Sequence, residues 1–236
     1  MTYKTFWTPI LTIVAAVVLL AAAVDGAAAR DRVGFFGGVN IANMGGDMDR
    51  LGDEITADLE AEIGGDWSAS RKADVGFGAG AYYYLARSTN FGLQLEVQYV
   101  QRGTKFGLRV MGLDFEAAFR TAYVEVPLLL RYTPGEPEDQ IFFMTIGPVI
   151  GFRVGADLEL SGQGMSESTD VGDDFASTTV GALVGVGLAH DLTASMSFLL
   201  QARYYQGLTD ALDTEGYSSR SRDYGFFAGL EFGLGR

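Results

Sequence analysis

Nine polar side chains recur at every second position within otherwise apolar segments. Gln94, Glu96 and Gln98 share one segment, Glu125 and Arg131 a second; Arg153, Gln201 with Arg203, and Glu231 occupy three more. Carboxylates, amides and guanidinium groups have one chemistry in common. Confined together they neutralise and hydrogen-bond one another, and the guanidinium fork matches a carboxylate with two parallel bonds. The two-residue spacing puts each set on one face of a strand, because successive strand side chains point to opposite sides. Counting residues from the intervening turns sets Arg203 near Glu231 on a neighbouring strand and Glu96 near Arg131. Those two ion pairs are the expected centre of a polar network.

Other chemistries find little material. Catalysis near neutral pH wants a poised base, and the single histidine, His190, falls at a turn, where an interfacial polar residue is expected. The scattered Ser and Asp residues show no nucleophile-elbow or triad spacing, so no enzyme is expected. With no cysteine there is neither a disulfide, a thiolate metal site nor an acceptor for a lipid anchor. Residues 44–74 hold Asp47, Asp49, Asp53, Glu54, Asp58, Glu60, Glu62 and Asp66, but without calcium-loop spacing. A solvated acidic loop is expected there, with Leu51, Ile55, Leu59 and Ile63 marking a short amphipathic helix. No metal or cofactor is expected. Gly76, Gly78 and Gly80 imitate a nucleotide fingerprint, yet they lie in a strict period of two with no helix start behind them.

The elements that carry the polar residues are strands. In residues 91–100, Phe91, Leu93, Leu95, Val97 and Tyr99 alternate with Gly92, Gln94, Glu96 and Gln98. Seven further alternating segments cover residues 33–43, 75–86, 121–132, 142–154, 177–190, 196–205 and 224–234. Pro127, within the fourth, gives up a ladder bond and is expected to mark a bulge or local irregularity. Three inward glycines in the second leave either a crowded interior or room for aromatics opposite. Connections alternate long and short, so every short turn and both termini share one side and the long loops the other. That sorting, with an apolar face of spanning length, predicts an all-β, eight-stranded antiparallel up-and-down transmembrane β-barrel. The charged face must then point inward, since Arg facing lipid at the midplane costs about 2–4 kcal/mol. Eight strands enclose a lumen just wide enough to be filled by side chains, so a plugged cylinder is expected.

Residues 10–24 form an uninterrupted apolar run between Lys4 and the small-residue site Ala27, Ala28, Ala29. As a helix the run spans roughly 22 Å, short of a hydrocarbon core of about 30 Å. It reads as a secretory signal peptide, residues 1–29, followed by a barrel domain over residues 30–236. The formal charge of −13 excludes a nucleic-acid partner, which would need a basic patch. The expected surroundings are outer-membrane lipid and lipopolysaccharide, with a surface or periplasmic protein partner and a monomeric barrel. Surface interaction, envelope integrity or a secretion accessory role is the expected function. A narrow channel or transport component, and a soluble periplasmic lipocalin-like barrel holding a small apolar ligand, are the alternatives.

Several stretches carry a family resemblance. Leu95-Glu-Val-Gln-Tyr-Val-Gln-Arg-Gly is similar to an E-x-x-Y-x-x-x-G strand, and Tyr123-Val-Glu-Val-Pro-Leu-Leu-Leu-Arg-Tyr to a Y-L-E-I-P-L-L-L-K-Y strand. The opening Val33-Gly-Phe-Phe-Gly-Gly-Val-Asn, Ile146-Gly-Pro-Val-Ile-Gly and Ala202-Arg-Tyr-Tyr-Gln-Gly-Leu-Thr-Asp complete the set. Over residues 33–236 the chain resembles the PorT-like outer-membrane β-barrel family. The resemblance implies a small bacterial outer-membrane barrel and makes Pro127 an expected feature. It implies little about activity beyond a link of some members to protein secretion.

Overall fold

Glycine and aromatic side chains alternate across neighbouring strands, and their fit sets the shape of the wall. A Cβ on Gly34 would lie 2.2 Å from the ring of Tyr82, one on Gly187 2.2 Å from Phe143, and one on Gly181 2.4 Å from Tyr205. Of the three inward glycines of residues 75–86, Gly78 and Gly80 face the rings of Phe227 and Phe36, while Gly76 is crowded by Gln101 O and Asn40, so both expected readings have a place. The computed structural model describes residues 31–46, 57, 61, 67–110, 113–135, 142–162, 165–172, 175–211 and 219–234.

Among these residues nine strands are present: β1 (Arg32–Gly46), β2 (Trp67–Ala86), β3 (Phe91–Val110), β4 (Leu113–Tyr132), β5 (Phe142–Gly162), β6 (Met165–Asp170), β7 (Thr178–Thr193), β8 (Met196–Gly207) and β9 (Ser219–Gly233). All pairings are antiparallel, and β1 pairs with β9, which closes the cylinder. Eight strands form the closed barrel, while β6 extends beside the outer half of β5. The expected signal peptide lies outside the described residues. So do the four apolar positions of the expected helix, although Ala57 and Ala61 between them are helical and exposed.

Three expectations about connections change. Residues 101–120, expected as a long polar connection into which strand ends extend, are strand over nearly their whole length: β3 and β4 continue as a hairpin with Arg102 opposite Thr121 and Val110 opposite Leu113. The segment from residue 158 is likewise strand as far as Gly162, then turns back through β6. Alternation of apolar and polar residues fades there because these strand ends stand clear of lipid. The last short turn is tighter than expected, since β7 reaches Thr193.

Pro127 marks a local irregularity of the ladder and not a bulge. The offset joining Leu95 to Leu128 is the same as that joining Gln98 to Glu125, so only the ladder is interrupted. The β4–β5 irregularity falls instead between Ala122 and Tyr123. At the turn end Asn90 Nδ2 donates to Thr133 O at 2.9 Å and Gly135 O at 3.0 Å. Gly135 itself has φ 95°, which a Pro-Gly turn of this kind requires.

The outer wall is apolar, with Leu128 and Leu200 each 49% exposed. Aromatic pairs bracket it on that face. Phe91 and Tyr132 stack with centroids 4.7 Å apart near the short turns, and Phe77 with Tyr99 at 5.5 Å and Tyr204 with Tyr224 at 5.1 Å lie towards the loops. From Phe91 to Tyr99, at about 3.3 Å per residue and a tilt of about 40°, the belt is roughly 20 Å tall.

Candidate functional site: a paired lumen

The inward face of each strand supplies the site. Glu96, Glu125 and Glu231 are 0% exposed, and Gln94, Gln98, Arg131, Gln201 and Arg203 are buried beside them. From the turn end, Arg32 Nη1 donates to Glu231 Oε1 at 2.9 Å and Tyr82 Oη to Glu231 Oε2 at 2.6 Å. Arg131 Nη1 donates to the same carboxylate at 2.5 Å and to Gln94 Oε1 at 3.4 Å. Gln94 Nε2 in turn donates to Glu96 Oε1 at 2.5 Å.

The fork of Arg203 grips Glu96 through two bonds, 2.7 and 3.0 Å, and also donates to Gln98 at 3.2 Å and Gln201 at 2.8 Å. Gln98 Nε2 reaches Glu125 at 2.8 Å, and Arg102 bonds both Glu125 and Asp223. One unbroken chain of bonds therefore runs from Arg32 to Asp223. It holds four guanidinium groups, Arg32, Arg102, Arg131 and Arg203, and four carboxylates, Glu96, Glu125, Asp223 and Glu231.

Each fully buried guanidinium also lies against aromatic faces. Arg131 stands 4.1 Å from the Phe143 centroid, Arg203 4.4 Å from Phe36, and Arg102 3.8 Å from Tyr205. Ring faces are negative, so they solvate the cation where water is excluded. The arrangement sets matched charge and aromatic rings at three successive levels of the lumen. No net fixed charge is left in the chain of bonds to draw an ion through.

The expected pairings are exchanged. Arg203 sits opposite Gly225 on β9 and Gly185 on β7, not opposite Glu231, which faces Ser197. With glycine on both sides, its long side chain crosses the lumen to Glu96 instead. Arg131 faces Gly92 and likewise crosses to Glu231. Arg153 stays apart from this chain. It is half-buried at the loop end, where its Nη1 would lie 2.7 Å from a Cβ on Gly172. Arg32, Arg102 and Asp223 join the network from outside the nine expected residues: Arg32 falls just before the first expected strand, and the other two in stretches whose patterning suggests loops. The signal was present for Arg102, which continues the even-numbered series of Gln94, Glu96 and Gln98.

An inward polar face and an outward apolar one reverse the arrangement of a soluble ligand-binding barrel. Residues 27–213 match the family model described as outer membrane protein beta-barrel domain. The chain belongs to that family. This outer-membrane barrel is similar in fold to several solved structures. Ail of Yersinia pestis is 15% identical, with 86% of this chain and 99% of that one covered at a TM-score of 0.42. OprG from Pseudomonas aeruginosa is 13% identical over 88% and 97% of the two chains, TM-score 0.42. The protease OmpT from Escherichia coli is 9% identical over 87% and 97%, TM-score 0.40. No curated protein matches the chain.

The barrel resides in the bacterial outer membrane, and in barrels of that membrane the short turns face the periplasm and the long connections the outside. His190 is exposed on β7 opposite Phe198, close to the periplasmic rim. Beyond the apolar belt the outer face of the extended strands becomes ionic. Lys105 lies 3.3 Å from both Asp74 and Glu116, while Arg120 pairs with Asp74 at 3.1 Å and with Glu159.

Proposed function

We propose that the protein is a non-conducting outer-membrane barrel whose extracellular sheet carries its activity, through contact with a partner or with the surrounding lipopolysaccharide. The observation supporting this reading is the asymmetry of the wall: β3 runs on from Tyr99 to Val110 and β4 returns from Leu113, well beyond the apolar belt. Long rigid strands in this position hold a surface out from the membrane with little ordering cost on binding. Their outward ion pairs suit a layer of headgroup phosphates and bridging cations better than lipid tails. Export through a cleaved signal peptide of residues 1–29, a monomeric state, a non-enzymatic role and a PorT-like ancestry belong to the same reading.

The test is to replace residues 104–119 with a tight two-residue turn in the full chain. Assembly in intact cells should persist, with surface protease cleavage lost at this hairpin. Adhesion, or resistance of the envelope to detergent, should fall. Unchanged adhesion and envelope resistance in a correctly assembled variant would contradict the proposal.

A further inference from the structure

Four of the ten buried side-chain polar atoms without a hydrogen-bond partner among the described residues lie at one level of the lumen. They are Asn40 Oδ1, Tyr123 Oη, Thr179 Oγ1 and Asp223 Oδ1, and all four residues surround Arg102; Thr121 stands beside the Tyr123 hydroxyl and Tyr205 beside that of Thr179, each too far or too poorly aligned for a full bond. Asp223 binds the Arg102 guanidinium, the Tyr123 ring lies 5.6 Å from it, and Asn40 pairs with Gly225, two residues from Asp223. Thr179 Oγ1 and Glu125 Oε1 approach a common point, 2.7 and 3.3 Å from where a Cβ of Gly151 would stand. Native structures rarely leave such groups unmet, and the usual remedy is buried water.

Among the described residues, packed side chains lie on both sides of this level. Above it, Phe106, Ala117 and Ala156 on the inward faces of β3, β4 and β5 pack with Phe175, and Phe119, Leu158 and Val171 join them. Phe119 meets Phe106 edge-on at 6.0 Å and Phe175 at 6.4 Å. The segment bearing Phe175 is pinned by Ala176 N donating to Ala211 O at 2.9 Å, and Ala211 N to Ser219 O at 2.7 Å. Below it lies the bidentate pair of Arg203 and Glu96 with the rings of Phe36 and Phe227.

We propose that the extracellular half of the lumen is a sealed, hydrated chamber: a cluster of water molecules held by Asn40, Tyr123, Thr179 and Asp223 beneath an apolar lid centred on Phe175. Water fits the donor set. Asn40 Nδ2 is committed to Gln101 O at 2.6 Å, so its Oδ1 and that of Asp223 only accept, whereas the two hydroxyls both donate and accept. A metal cation would sit against the guanidinium of Arg102. The lid governs entry to the chamber.

The chain has no cysteine, so one introduced thiol is a unique reporter. Ser221, inward and two residues from Asp223 on β9, is 7% exposed. In the full-length protein in lipid nanodiscs, S221C should react with methyl methanethiosulfonate at least roughly tenfold more slowly than S88C at an exposed periplasmic turn. Adding Phe175→Ala should raise the S221C rate by about tenfold while leaving S88C unchanged. An S221C rate that matches S88C, or that ignores Phe175→Ala in a folded barrel, overturns the proposal. Wild-type protein provides a second measurement independent of folding of the variants. In water-edited solid-state NMR, magnetisation should reach Thr179 and Asn40 as fast as it reaches exposed Ser88, and far faster than it reaches Leu129 and Leu199. Slow transfer to Thr179 and Asn40 would show a dry lumen and sink the idea.

Discussion

Arg131 and Glu231 meet at 2.5 Å although their strands, β4 and β9, lie on opposite walls of the cylinder with three strands between them in either direction. Arg203 on β8 and Glu96 on β3 are opposed in the same way. Two diametric struts therefore cross the lumen at successive levels. Neighbouring-strand pairs would reinforce hydrogen-bond ladders that already exist; these struts fix the cross-section itself. Each also carries a stacked aromatic ring, so the cylinder is braced by charge and filled by hydrocarbon together.

Removing one end of a strut leaves a buried charge without compensation. Glu231→Ala strands Arg131 between Tyr84 and Phe143 and releases Arg32 and Tyr82 as well. The expected loss is about 3–5 kcal/mol, read from urea unfolding in detergent micelles or from the heating needed to shift migration on a gel. Replacing both residues, Arg131→Met with Glu231→Leu, should recover most of that loss, because no charge is then left buried. A double variant as unstable as the single one would contradict the assignment.

The exchanged partners have a separate signature. In double-mutant cycles, Arg203→Met and Glu96→Gln should couple by about 1 kcal/mol or more, whereas Arg203→Met and Glu231→Gln should be additive within about 0.5 kcal/mol. The reverse ranking would restore the neighbour-strand pairs that residue counting suggests.

That exchange shows what a sequence can and cannot convey for this fold. The period of two told which side chains of residues 91–100 face inward, and the alternation of short and long connections told how many strands close. Both are local properties. Which inward carboxylate meets which guanidinium depends on register and on what the opposite wall leaves open. Arg203 has glycines beside it, and that becomes visible only when Gly185 and Gly225 are placed at its level. Arg102 was hidden for another reason. Past Val100 the outward face turns ionic at Lys105, so the apolar half of the alternation disappears while the strand goes on.

Outward positions should be graded by depth. Leu128 stands midway between Tyr132 and Val124, the latter paired with Tyr99, and so near the centre of the belt. Leu128→Arg should cost about 2–4 kcal/mol in folding measured in lipid vesicles, and Phe91→Arg at the rim only about 0–1 kcal/mol from burial of charge. Equal costs at the two depths would be inconsistent with a lipid-facing wall.

The glycines divide by face as well. Gly187→Ala would drive a methyl group against the Phe143 ring and should cost about 1–3 kcal/mol. At Gly37, on the outer wall, the nearest atom to an added Cβ is 3.8 Å away, so Gly37→Ala should change stability by no more than about 0.5 kcal/mol. Thermal unfolding of the two variants side by side checks the contrast.

Planar-bilayer recording of the purified full-length protein bears most directly on whether the paired lumen is closed. With Arg32, Arg102, Arg131 and Arg203 matched by four carboxylates and backed by rings, insertion should give a silent bilayer with no discrete current steps. Stable ohmic steps from the wild-type barrel would mean that a continuous wet path runs past these struts, and the closed-lumen reading would fall.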